Sequence, residues 1–136
     1  MKHVLIAFTI VLISQHGFAQ TNRAGLRRYV NSAEKNCQAC VDAGTNNFIT
    51  CEKTFYRQMD SVLNVAYRAL KHKLTPLYFE NLKADQKNWL AKRDRYFLEQ
   101  QHIEESGAGP EADQALAIHN EALFVKDRVL YLLAKL

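Results

Sequence analysis

Two segments, Asp60-Ser-Val-Leu63-Asn64-Val-Ala-Tyr67-Arg-Ala-Leu70 and Leu82-Lys-Ala-Asp-Gln86-Lys-Asn-Trp89-Leu90-Ala-Lys-Arg93-Asp94, decide how this chain folds. Asp60, Leu63, Asn64, Tyr67 and Leu70 recur at the three- and four-residue intervals of one helix face, and so do Leu82, Gln86, Trp89, Leu90 and Arg93. Each stripe mixes charged or amide groups with large apolar ones. Buried polar groups must be paired, so the economical arrangement sets the two stripes face to face. Thr75-Pro76 stands between them, and proline ends a helix by removing an N–H and forcing its predecessor extended. An antiparallel hairpin turning there places Asp60 opposite Arg93, Leu63 opposite Leu90, Asn64 opposite Trp89 and Tyr67 opposite Gln86. The expectation is an internal polar network of Asp60, Asn64, Gln86, Arg93 and Asp94, with the Asp60–Arg93 pair fixing the register. Trp89, the only tryptophan, is expected to pack in the core against the facing helix.

The same periodicity extends outward. Thr45 is a fair N-cap for a first long helix carrying Phe48, Cys51, Phe55, Met59, Val62, Ala66 and Leu74. A second runs from about residue 77 to 105, and Ser106-Gly-Ala-Gly-Pro110 is the clearest loop in the chain. Pro110 suits the first turn of a third helix bearing Leu116, Leu123, Val129, Leu130 and Leu133. No period-two segment competes. The predicted fold class is all-α: an antiparallel hairpin of two long helices plus a third packed helix, a three- to four-helix bundle. Residues 20–44 read as an N-terminal arm or short helix, with Leu26, Tyr29, Val30 and Ala33 as its apolar pattern and residues 37–44 as a connection. Residues 45–136 form the main helical domain.

Residues 1–19 have the pattern of a secretory signal peptide: Lys2, an apolar run over residues 4–13, and Gly17-Phe18-Ala19 before Gln20. The apolar run is too short for a bilayer span, which needs roughly 20 residues, and no second such run follows. Export to a periplasm or the outside is the expectation. The chain of 136 residues is 48% hydrophobic and 24% charged, with a formal charge of +4 that loses Lys2 on cleavage. That mild excess, with acids and bases interleaved along helices, is no nucleic-acid signature. Three cysteines, Cys37, Cys40 and Cys51, in an oxidising compartment leave one over or pairing between chains. Cys37-Gln-Ala-Cys40 lacks the strand–helix setting of a redox motif, and Val41 stands where haem attachment needs histidine. His72, His102 and His119 are too scattered to complete a metal site, and no cofactor is expected.

D-x-x-L-N-x-x-Y-x-x-L from Asp60, L-K-x-x-Q-x-x-W-x-x-x-R-D from Leu82, and R-x-x-x-L at Arg128 and Leu132 together resemble the LprI-type lysozyme-inhibitor family, small secreted bacterial domains. The Cys40, Cys51, Asp60 spacing is similar as well. Where the family carries two later cysteines, this chain has Tyr96-Phe97 and Ile118-His119, and Val125 stands near a threonine common before the final arginine. Joint loss of both late cysteines implies that they are each other's partners, which leaves a Cys40–Cys51 bridge tying Cys40 to the helical domain and Cys37 free. The resemblance makes Asp60, Leu63, Asn64, Tyr67, Gln86, Trp89, Arg93, Asp94 and Arg128 the shared motif.

The resemblance also implies a non-enzymatic protein whose partner is a protein, lysozyme being the one the family name indicates. The other class is a non-catalytic periplasmic scaffold binding another envelope protein. No serine or cysteine has a histidine and an acid at motif spacing. An inhibitor must occlude a cleft with a protrusion, and the 106–110 loop and the disulfide loop after Cys40 are the expected candidates. Many lysozymes are cationic, so attraction would need a local acidic patch; Glu99, Glu104, Glu105, Glu111 and Asp113 around the loop are the candidate partner-binding residues.

Overall fold

A computed structural model describes residues 22–44, 47–101 and 109–136. They form four α-helices, α1 (Arg23–Asp42), α2 (Phe48–Lys73), α3 (Pro76–Gln100) and α4 (Pro110–Lys135), and no strand is present among them. The fold class follows from the sequence periodicity as expected. The signal-peptide stretch, Thr45, Glu104, Glu105 and Ser106 lie outside the described residues.

Local sequence explains the boundaries. Asn22 caps α1, its side-chain oxygen accepting from the Ala24 N–H at 2.9 Å. Gly44, with φ of 65°, ends the run after α1, and its N–H donates to the Val41 carbonyl at 3.2 Å. Of the arm and the short helix expected for residues 20–44, the described residues form a helix, and a longer one: α1 runs for 20 residues and includes Cys37 and Cys40, both expected in a connection. Its apolar pattern continues one turn at a time from Val30 to Ala33 to Cys37, all buried, and nothing in residues 34–42 breaks a helix. Pro76 and Pro110 open α3 and α4, where a missing N–H costs nothing. Leu74 and Thr75 are both extended between α2 and α3, Thr75 because Pro76 follows.

The helices run up, down, up, down. The α2–α3 hairpin is antiparallel as expected, but α2 packs most intimately on α4, and the α2 and α3 backbones scarcely approach. The parallel α2–α4 pair is fixed at both ends. Glu52 meets His119 near the start, and the Lys73 ammonium donates to the Leu136 carbonyl at the end. Ala66 of α2 and Ala122 of α4 are fully buried, and side chains this small let packed helices approach closely. Around them Phe55, Met59, Leu70, Leu132 and Leu133 are almost wholly excluded from water, each contributing roughly 1.5–3 kcal/mol by burial. Helix α1 covers one flank of this pair through Val30, Ala33 and Cys37, held by the Lys126–Glu34 ion pair and the Cys40–Cys51 disulfide. Helix α3 lies along α4 on another side, and only Leu82 and Gln100 of its residues are buried.

Candidate functional site: a groove between α2 and α3

Because α2 turns its apolar stripe to α4, its polar edge is left looking at α3 across a gap. The gap is a groove of ≈ 590 Å³ lined by residues of both motif segments, among them Asp60, Leu63, Asn64, Tyr67, Gln86, Leu90 and Arg93. The structure therefore brings the two stripes to one place, as the hairpin predicts, but it does not let them satisfy each other. Arg93 donates from Nε and Nη2 to its neighbour Asp94 at 2.9 and 2.6 Å, not to Asp60. Its guanidinium lies over the Trp89 and Phe97 rings, 5.7 and 5.8 Å from their centroids. Asp60 takes a long 3.4 Å hydrogen bond from Asn64 Nδ2, which also donates to the Asp60 carbonyl at 2.9 Å. Tyr67 packs on Phe79 at 5.5 Å, not on Gln86. The expected Asp60–Arg93 pair is corrected by the separation of the α2 and α3 backbones, which leaves each charge to a partner on its own helix.

The buried polar network exists, but its centre is Arg128. That side chain is only 6% exposed; Nε donates to Gln86 Oε1 at 2.8 Å and Nη2 to Asp85 at 2.8 Å. Trp89 and Tyr131 flank the guanidinium, with centroids 5.6 and 4.5 Å away. Burial opposes ionisation of Asp85, but the Arg128 hydrogen bond and charge, with help from Tyr131 and Lys135, outweigh it and hold the carboxyl below its ordinary value. Gln86 thus ties the groove wall to α4. Trp89 is half-buried, not enclosed between α2 and α3. It stacks on Phe124 of α4 at 5.9 Å, beside the Tyr96–Phe124 stack at 4.6 Å. On the α2 side Tyr56 meets Phe97 edge-on at 5.9 Å, so aromatic rings bridge the gap that the backbones leave. Burial, and after it the Asp60 charge, pushes the Tyr56 phenol up.

A second polar cluster escaped the sequence reading. Glu52, 7% exposed, is 2.9 Å from His119 Nδ1. The free Cys37 thiol is buried, and burial first, then the charge of the same Glu52 carboxylate, pushes it up to about 12. The trio has the composition of a nucleophile, acid and base, but a thiol held protonated is the reverse of an activated one. The signal was present as an out-of-pattern Glu52 next to Cys51 on the buried face of α2; its partner on α4 is 67 positions away and no spacing rule reaches it. The Cys40–Cys51 bridge forms as the resemblance implies, with Cα atoms 5.9 Å apart. Among the described residues no cluster could hold a metal ion, and no helix is long and apolar enough to cross a membrane.

Residues 37–125 match the family described as Lysozyme inhibitor LprI. The match covers well over half of the chain and spans the groove, both faces of the hairpin and the disulfide. This chain belongs to the LprI family. Neither curated proteins nor solved structures gave a match. Within the LprI match, the motif positions Asp60, Leu63, Asn64, Tyr67, Gln86 and Arg93 all line the groove, while Arg128, which braces one wall through Gln86, lies just beyond the matched residues.

Proposed function

We propose that this LprI-family chain is an exported, non-catalytic protein that binds and blocks a peptidoglycan-cleaving glycosidase of the lysozyme type. The observation that carries the reading is the family match over residues 37–125. Two features support it. The Cys40–Cys51 bridge fits an oxidising compartment, and residues 1–19 have the composition of a secretory signal. Among the polar groups that line the groove, Glu80 is engaged by Lys83 at 3.4 Å, Arg93 by Asp94, and Asp60 by Asn64 through a long 3.4 Å bond, so the Asp60 carboxylate keeps acceptor capacity for a ligand and Lys87 can donate to one. Glu99, Glu111 and Asp113, at the end of the bundle where α3 stops and α4 starts, would draw in a cationic enzyme from a distance. Acids at the first turn of α4 are also favoured by the helix dipole.

The test is a lysozyme activity assay with the purified protein beginning at residue 20, its disulfide intact. Dose-dependent inhibition of at least one lysozyme class at micromolar protein is expected. Full activity of every class at that concentration would overturn the reading in favour of a scaffold for another envelope protein.

A further inference from the structure

Leu77 and Tyr78 are the most exposed large apolar residues among those described, at 71% and 64%. They are adjacent, in the first turn of α3, directly after the two-residue connection from α2. Tyr131 of α4, itself 41% exposed, faces with Tyr78 onto a shared hollow of ≈ 590 Å³. Single exposed apolar side chains are ordinary. Two side by side, with an aromatic neighbour from another helix, bury little for the fold and have area to give to a partner.

Charge singles out the same end of the molecule. The last turn of α2 carries Lys71, His72 and Lys73. Helix α1 is antiparallel to α2, because the Cys40–Cys51 bridge joins its end to the start of α2, and its first residues therefore lie toward this corner. They include Arg23, Arg27 and Arg28, with no acid in the first turn. Lysines at a helix C-terminus are favoured by the dipole, but arginines at a helix N-terminus oppose it. Helix stability does not account for that accumulation.

We infer that the Leu77–Tyr78 corner enters the substrate cleft of the target glycosidase, an inference that rests on the inhibitor reading above. Such a cleft is a concave, apolar-walled groove for sugar rings with a pair of Asp or Glu side chains flanking the scissile bond. Tyr78 offers a ring where a sugar would stack and a phenolic O–H that can donate to a carboxylate. Lys71 adds positive charge beside it. A cationic enzyme surface opposes the approach of this corner, but screening confines that repulsion to about 8–10 Å at physiological salt, and the carboxylates of the cleft attract the corner in contact. A membrane is the other anionic acceptor, but membrane docking uses an apolar face that runs along a helix lying in the interface. Here the adjacent exposed pair occupies a single turn of α3, and the other exposed large apolar residues, Tyr29, Leu98 and Leu116, stand singly elsewhere.

Leu77→Ser, Tyr78→Ser and the double variant test this, assayed against a lysozyme that the unchanged protein inhibits, with a soluble chito-oligosaccharide as substrate. The unchanged protein should inhibit competitively, raising apparent KM with kcat constant. The double variant should raise the inhibition constant at least about thirtyfold, as loss of a buried aromatic anchor does, while its melting temperature stays put because neither side chain is in the core. Inhibition by the double variant at unchanged strength, or non-competitive inhibition by the unchanged protein, would overturn the corner and leave the inhibitor reading standing. Loss of binding to phosphatidylglycerol vesicles with inhibition retained would assign the corner to a lipid surface and also overturn it. Absence of any lysozyme inhibition by the unchanged protein would overturn both readings together.

Discussion

Arg128 shows how one buried charge organises this molecule. Its guanidinium is 6% exposed and depends on Gln86 and Asp85 for its hydrogen bonds. Removing the partners strands a buried cation, whereas removing the cation itself strands little, since replacing a buried charged group by a well-packed apolar one is often neutral or better. Arg128→Met, whose thioether can still lie against Trp89 and Tyr131, should stay within about 1 kcal/mol of the parent in urea unfolding. Asp85→Ala with Gln86→Ala should lose about 2–3 kcal/mol, a figure lowered because water reaches Asp85, whose side chain is 44% exposed. Equal losses in the two variants would show that Arg128 is not the centre of the network. The pH dependence has a definite sign. Asp85 is held below its ordinary value, so its contribution is complete above about pH 4 and fades as pH falls through the lowered folded value. Asp85→Asn should therefore flatten the acid limb of the stability curve, and an unchanged limb would contradict that. Cys37 gives a second residue-scale test. Its thiol is buried and pushed up to about 12, so iodoacetamide at pH 8 should leave it unmodified in the native protein and label it on unfolding; rapid native labelling would mean that α1 opens readily.

At the scale of elements, α3 is the weakly held one. Helix α2 buries a continuous stripe from Cys51 to Leu70 and α4 one from Ala115 to Leu133, whereas α3 buries Leu82 and Gln100 and otherwise leans on half-buried rings. Native-state hydrogen exchange should find the amides of α3 less protected than those of α2 and α4. Trp89→Ala, which removes the stack on Phe124, should cost about 2–3 kcal/mol, less than a fully enclosed tryptophan, and should deepen the loss of protection in α3 selectively. A uniform loss across all helices would mean that α3 is part of the cooperative core. Helix α1 is tied by covalent means: Cys40→Ser with Cys51→Ser should lower stability by about 2–3 kcal/mol, the loop-closure value for a short bridge. The sequence was legible where apolar spacing is strong and local. Phe55, Met59, Val62, Ala66 and Leu70 announce α2, and Pro76 and Pro110 mark helix starts. It was not legible where polarity alone had to choose a partner. Asp60, Asn64, Gln86 and Arg93 share a face with apolar residues, so they read as an internal network. The deciding fact, that α2 packs on α4 and leaves α3 standing off, depends on contacts between residues far apart in the chain. The same distance hid Arg128 from Gln86 and His119 from Glu52.

On the scale of the whole molecule, charge is sorted along the bundle axis. Arg23, Arg27, Arg28, Lys71 and Lys73 lie toward the α2–α3 corner, while Asp42, Glu99, Glu111 and Asp113 lie toward the opposite end, where α1 and α3 stop and α2 and α4 begin. A molecule so polarised approaches a charged partner end-on. Under the inhibitor reading proposed above, a cationic enzyme body would attract the acidic end during encounter, whereas an anionic cleft would hold the basic corner once the surfaces are close, because screening limits the reach of each to about 8–10 Å at physiological salt. The two ends therefore make separable contributions to kinetics. Charge reversal at Glu99 and Glu111 acts on the distant encounter: it should slow association and reduce its salt dependence, with the dissociation rate unchanged. Charge reversal at Lys71 acts in the docked complex: it should raise the dissociation rate as well, because that charge lies beside the contact. Surface plasmon resonance on an immobilised lysozyme, run at two ionic strengths, reads both rates. If Glu99→Lys with Glu111→Lys speeds dissociation while Lys71→Glu leaves it untouched, then the acidic end is the one that docks, and the search for the occluding contact moves from Leu77 and Tyr78 to the connection between α3 and α4.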